Sequence, residues 1–163
     1  MMDGYIFQLN CSDGGVPKRT VSEAQLTPTG LACDRQGHPK IHGGPERALC
    51  LYALEHITAL QDEGHPIFPG SIGENVTVAG VDWKSLGPGS RLALGDEVII
   101  EITSYAGPCP TIAASFTNRQ FKRISQKKHP GESRLYARVI RTGLLATGQP
   151  VRLLNGAEST QPS

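Results

Sequence analysis

Val98-Ile99-Ile100-Glu101-Ile102-Thr103 carries the clearest alternation in the chain. Val98, Ile100 and Ile102 share one side of an extended backbone, and Ile99, Glu101 and Thr103 the other. Side chains on a strand point to alternate faces, so a period of two marks a half-buried β-strand. Gly95-Asp96 supplies a turn before it, and Arg91 to Leu94 reads as another strand. Working outward, Tyr5 to Leu9, Arg19 to Ala24, Leu31 to Asp34, Ala48 to Tyr52, Asn75 to Val78, Leu135 to Arg141 and Pro150 to Leu154 read as further extended segments. Ser12 to Pro17 and Thr27-Pro28-Thr29-Gly30 read as turns, and residues 35 to 47 as a polar loop. The 19 glycines and 12 prolines are spread throughout, as many short strands joined by turns require. Leu54, Ile57, Ala59 and Leu60 recur near helical spacing, and Gly64 follows, so Leu54 to Asp62 reads as the best helix. Thr111 to Phe121 is a candidate second, short helix. Many strands with one or two helices imply a β-barrel or a sandwich, and the imperfect alternation leaves that choice open.

Size and charge narrow the function. The 163 residues suit one domain with a real core. A formal net charge of +1 creates no field that would draw nucleic acid or an acidic membrane, so an anion must be held by a local cluster. Aromatics at 6 % are too sparse for a base-stacking surface. No stretch approaches the ~18 apolar residues of a membrane-spanning helix. Residues 1 to 10 lack the basic and apolar regions of a secretory signal. The expectation is a soluble cytoplasmic protein whose four cysteines, Cys11, Cys33, Cys50 and Cys109, are reduced thiols. No C-x-x-C pair occurs, which argues against a structural zinc site.

Cys109 stands out among the four. It lies in Tyr105-Ala106-Gly107-Pro108-Cys109-Pro110, at the end of the alternating strand, with a proline on each side. Each proline fixes its own φ and biases the residue before it toward extended geometry, which limits where the thiol points. Such a cysteine is placed to ligate a soft metal or attack an electrophile; its blander role is a small buried apolar residue.

Three loops add candidates. His42-Gly43-Gly44-Pro45-Glu46-Arg47 pairs adjacent glycines, whose N–H groups can approach a ligand and form an anion nest, with two flanking donors. Gly70-Ser71-Ile72-Gly73-Glu74-Asn75 offers an amide able to read a heterocycle edge or hold a turn, and a carboxylate able to accept ring N–H groups or face water. Lys18-Arg19 follows Gly-Gly-Val-Pro and Asp34-Arg35 follows a strand; at either a phosphate or plain solvent could meet them. The five histidines show no metal-ligand spacing: His38 and His42 are i, i+4, but Pro39 between them argues against a helix, and His56 sits on the helix, facing solvent. Nucleophile-elbow and Walker-type motifs are absent.

Together these segments resemble the MOSC family, named for the C-terminal domain of molybdenum cofactor sulfurase. The matching stretches are Gly14-Gly15-Val16-Pro17-Lys18, Gly30-Leu31-Ala32-Cys33-Asp34-Arg35-Gln36, His42 through Tyr52, Gly73-Glu74-Asn75, Leu94-Gly95-Asp96 and Pro108-Cys109. Each is weak alone; six in order, from about residue 10 to residue 153, are specific. The resemblance implies a mostly β fold, a barrel of the pyruvate-kinase β-barrel type with one to three short helices. The domain would cover residues 1 to 154, with 155 to 163 a flexible tail. It implies molybdenum cofactor as ligand, with Cys109 as the catalytic residue and the molybdenum ligand. Lys18, Asp34, Arg35, His42, Gly43, Gly44, Arg47 and Asn75 are the candidate cofactor-binding residues.

Characterised relatives reduce N-hydroxylated compounds such as amidoximes, so the implied partners are a small N-hydroxylated substrate and a separate electron-donor protein. The alternatives are sulfur transfer through a Cys109 persulfide, fed by a separate desulfurase, and a non-catalytic cofactor-binding module. The family is also associated with pyridoxal phosphate, although no lysine motif for it occurs here. The chain departs from the family at Cys33, where members often carry Gly. A position needing positive φ would disfavour Cys and disturb the local cofactor contact.

Overall fold

The computed structural model describes residues 4–35 and 44–154. In them the chain forms eleven strands: β1 (Gly4–Cys11), β2 (Arg19–Val21), β3 (Glu23–Thr27), β4 (Gly30–Leu31), β5 (Leu49–Ala53), β6 (Val76–Ala79), β7 (Arg91–Leu94), β8 (Val98–Ala106), β9 (Arg134–Arg141), β10 (Gly143–Ala146) and β11 (Pro150–Leu153). One α-helix, α1, spans Leu54–Asp62, and 3₁₀ turns occupy Pro110–Ser115, Thr117–Arg119 and Phe121–Ile124. The second expected helix is therefore a broken series of 3₁₀ turns. Asn118, at φ 54°, interrupts it.

Strand pairing decides between barrel and sandwich. β1, β11, β7, β8, β9, β5 and β6 pair in that order, and β6 returns to β1. Seven strands thus close a barrel, which removes the sheet edges. β2 extends β1 outside the ring, and β10, β3 and β4 form a small second sheet. β5 and β6 are parallel, joined through α1, while the other paired strands run antiparallel. The expected strand over Arg19–Ala24 is split at Ser22 into β2 and β3.

The alternation in β8 does what its pattern implies. Val98, Ile100 and Ile102 are at most 1 % exposed, while Ile99, Glu101 and Thr103 are half-exposed. Each such buried side chain contributes about 1.5–3 kcal/mol. β5 and β6 are buried at every position, and their sequences are accordingly near-continuous apolar runs. α1 buries Ile57 and Leu60. Gly64, at φ 100°, lets its own N–H and that of His65 bond back to the Gln61 and Leu60 carbonyls, ending the helix. His56 is half-buried, its ring stacked on Tyr52 at 5.8 Å, rather than facing solvent. Burial holds its pKa below the usual imidazole range. No helix among the described residues is long and apolar enough to cross a membrane.

The expectation of four reduced thiols is corrected. Cys11, at the end of β1, is disulfide-bonded to Cys33, just beyond β4, while Cys50 and Cys109 are free. Cys33 does not occupy a left-handed position: among described non-glycine residues only Asn118 and Arg119 have positive φ. Cysteine is therefore accommodated there without backbone strain, and its side chain staples the turn that carries Asp34.

Candidate functional site

One end of the barrel opens into a pocket of about 110 Å³. Of the expected residues, Lys18, Asp34, Arg47, Asn75 and Cys109 line it. His42 and Gly43 lie outside the described residues, as does the tail from 155. Arg35 and Gly44 do not line it. The Arg35 N–H bonds the Ser12 carbonyl, and the Gly44 carbonyl accepts from Arg47 N–H.

Cys109 lies just beyond β8, after Gly107 and Pro108. Its backbone is extended, at φ −134° and ψ 162°, as a residue before proline should be. Its carbonyl accepts from Ile112 N–H at 3.2 Å, starting the 3₁₀ turn that Pro110 opens. The thiol is half-exposed and 2.7 Å from the Thr111 hydroxyl. The prolines thus hold a reachable sulfur at the rim of a pocket.

The wall opposite in chemistry is a closed polar network. Asp34 Oδ1 accepts from Lys18 Nζ at 2.7 Å and from Ser12 N–H at 2.9 Å. Its Oδ2 accepts from Lys18 Nζ at 2.9 Å and from Asn75 Nδ2 at 2.8 Å. The two charged side chains are 7 % and 3 % exposed, so each needs the other. Asn75 Oδ1 in turn accepts from Cys50 N–H at 3.0 Å. Both ends of this amide are already engaged, so Asn75 braces the wall rather than presenting a free heterocycle-reading edge. Gly70 allows the close approach behind it. At φ 92° it accepts from Lys18 N–H, and a Cβ there would lie 2.6 Å from the Lys18 carbonyl oxygen.

Glu74 departs from expectation. It is fully buried, and its Oε2 accepts from Gly70 N–H and Thr77 Oγ1, so it neither meets ring N–H groups in the pocket nor faces water. Burial raises its pKa.

Sequence reading missed the remaining wall. Arg134 starts β9 opposite Ala106 of β8, and Tyr136 pairs with Cys50 of β5. The period of two places Arg134 and Tyr136 on the pocket face and sends Leu135 and Ala137 into the core. Arg134 Nη1 donates to the Ile72 carbonyl at 2.9 Å and Nη2 to the Gly107 carbonyl at 3.0 Å. It therefore ties the Cys109 turn to the Gly70–Asn75 loop. Arg47 lies over the Tyr136 ring at 5.3 Å, a cation–π contact at the mouth. Burial pushes the Tyr136 hydroxyl up to about 12, with Cys50 adding to the effect. Cys50 also lines the pocket, yet burial drives its pKa up to about 11 against the pull of Arg134. Cys50 is thus a protonated thiol at neutral pH and a poor nucleophile or ligand.

The end of the closed barrel thus brings one accessible thiol together with a network of paired polar groups and two further cations in a single pocket. The chain belongs to the MOSC domain family, whose model matches residues 38–152. It is 28 % identical over 146 residues to the uncharacterised protein YflK of Bacillus subtilis (strain 168), a match covering 88 % of this chain and 65 % of YflK. It is 29 % identical over 118 residues to a protein named Reductase from Gibberella moniliformis (strain M3125 / FGSC 7600), covering 69 % of this chain but 20 % of that protein. The chain thus spans less than two thirds of either relative. Its fold matches the crystal structure of YiiM from Geobacillus stearothermophilus with a TM-score of 0.71 at 21 % identity, over 93 % of this chain and 75 % of that one. The mostly β barrel is therefore the fold of the family.

Proposed function

We propose that this pocket holds molybdenum cofactor with Cys109 as its thiolate ligand, and that the protein reduces N-hydroxylated compounds of the amidoxime or hydroxylamine type. The observation that carries the reading is Cys109 itself, a half-exposed thiol fixed at the rim of a pocket in a MOSC barrel. The relationship to a protein named Reductase supports the reaction class.

The residues present fit the group. A thiolate suits a soft metal site. The charged groups among the described lining are Lys18, Asp34, Arg47 and Arg134, three cations to one carboxylate, which suits an anionic ligand. When bound, the cofactor would supply a metal able to accept oxygen from an N–OH group and to be re-reduced. The overall change is R–NH–OH plus two electrons and two protons to R–NH2 and water. The electrons would come from a separate redox protein.

This chain's residues bind and orient. Cys109 would anchor the metal, and the Thr111 hydroxyl beside Sγ would hydrogen-bond the thiolate and hold its direction. Lys18, Asp34 and Asn75 keep their wall rigid, and Arg47 at the mouth attracts negative charge. Cys50, a buried thiol of the same lining held protonated by its burial, would take no part in ligation.

Benzamidoxime reduction with a chemical one-electron donor tests the reading. Wild-type protein from a host that makes the cofactor should turn over, and Cys109→Ser should lose activity while keeping its fold by circular dichroism. Equal turnover by Cys109→Ser would rule the ligand assignment out. A wild type that takes up sulfur on Cys109 from a cysteine desulfurase, yet reduces no N-hydroxy compound, would favour persulfide transfer instead.

A further inference from the structure

We propose that Arg134 forms an oxyanion subsite in this pocket, one that takes a carboxylate or phosphate carried by the molecule bound there. Arg134 lies outside the six matching stretches of the sequence, and its charge has no ion-pair partner among the described residues. It is 4 % exposed; its Nη1 and Nη2 donate to the backbone carbonyls of Ile72 and Gly107, and the guanidinium also acts on the Cys50 thiol. Its Nε has no partner. Among the described residues no carboxylate forms an ion pair with it. Glu74, the buried carboxylate of the neighbouring loop, feels the Arg134 charge but forms no ion pair with it; its Oε2 accepts from Gly70 and Thr77, and its Oε1 has no hydrogen-bond partner.

Carbonyl dipoles carry partial charges and cannot neutralise a guanidinium taken out of water. A buried charge without a counter-charge is strongly unfavourable. Across the pocket the other buried cation, Lys18, is matched by Asp34 on both carboxylate oxygens. Lys18 and Asp34 cancel, which leaves Arg47 and Arg134 as a surplus of two positive charges. An oxyanion in the pocket supplies what is missing, and it accepts from a guanidinium as no neutral group would.

The cation is also pre-positioned. Trp83 Nε1 donates to the Ser133 carbonyl at 2.9 Å, and the Tyr52 hydroxyl donates to the Glu132 carbonyl at 2.7 Å. The segment entering β9 is therefore pinned on both residues before Arg134. A fixed guanidinium loses little freedom when an anion arrives. The oxyanion can be carried by the cofactor or by the substrate; the recognising chemistry is the same.

Inorganic phosphate is the probe, titrated into metal-free protein at constant ionic strength by calorimetry. Because no metal is present, this arm stands apart from the molybdenum reading. Wild type should bind saturably, with Arg134→Met weakening binding at least about tenfold and Arg134→Lys falling between, as loss of a charge-assisted contact implies. Lys127→Ala, on the exposed surface away from the pocket, should bind like wild type. Equal binding by wild type and Arg134→Met overturns the subsite. Should Arg134→Met fail to fold, wild type decides alone. Phosphate should then slow iodoacetamide labelling of Cys109 saturably, and no protection beyond that of chloride overturns the subsite.

The source of the oxyanion is read on loaded protein. Loss of bound pterin from Arg134→Met assigns it to the cofactor. Retained pterin, with loss of preference for 4-carboxybenzamidoxime over benzamidoxime, assigns it to the substrate. Neither change would overturn a ligand role for Arg134.

Discussion

The two polar walls of the pocket solve the same problem in opposite ways. On one side Lys18, a cation 8 % exposed, is locked to Asp34, whose oxygens also hold Ser12 and Asn75. On the other side Arg134, 4 % exposed, donates to two carbonyl oxygens, lies beside the Cys50 thiol and has no ion-pair partner among the described residues. Similar burial with different compensation separates framework from function. A network whose every charge is matched holds the site in shape. A charge left unmatched marks where something else must bind.

The comparison breaks hardest at Asp34. Asp34→Ala leaves the Lys18 ammonium buried without its partner and strips acceptors from Ser12 and Asn75, so urea unfolding should show a loss of about 3–5 kcal/mol. The double variant Lys18→Met with Asp34→Ala should recover a good part of that loss. A single-variant loss below 1 kcal/mol would place this pair among weak surface bridges.

The two free thiols sharpen the contrast between rim and wall. In native protein at pH 8, iodoacetamide should label Cys109 and leave Cys50 unmodified. Cys50 is buried, and its thiol, pushed up to about 11, is almost wholly protonated there. Unfolding should release Cys50 to the reagent, and Cys11 and Cys33 should react only after reduction. Native labelling of Cys50 at a rate like that of Cys109 would contradict the placement.

The smallest effect concerns Glu74. Burial raises its folded pKa above the unfolded value of about 4.3, so between those two values the folded state binds more protons. That contribution is fully present below about pH 4.3 and is lost as pH rises through the folded pKa. Glu74→Gln should remove this slope, so wild type should lose stability relative to the variant as pH rises from 4 to 8. Parallel stability curves would show that Glu74 ionises as freely inside as outside.

Local pattern carried much of this architecture. The helix over Leu54–Asp62 and the strand over Arg91–Leu94 follow from spacing and flanking glycines, and the structure has them at those bounds. β10, Gly-Leu-Leu-Ala, has no alternation to read and exists through its pairing with β3, a tertiary contact. Closure of the barrel through β1 and β11 is likewise a long-range pairing that neither strand announces. Cys109 was legible because two prolines flank it. The Cys11–Cys33 bond, 22 residues apart in sequence, depends on how β1 and the turn after β4 meet in space. Arg134 was hidden for a different reason. A charged residue at the start of a strand reads as solvent-facing, and only the face it shares with Tyr136 places it in the pocket.

The most direct test is molybdenum and released pterin per chain, measured on wild type and Cys109→Ser purified from a host that makes the cofactor. The account predicts close to one of each per wild-type chain, with molybdenum lost or inactive in the variant. Neither molybdenum nor pterin on a folded wild type would contradict it.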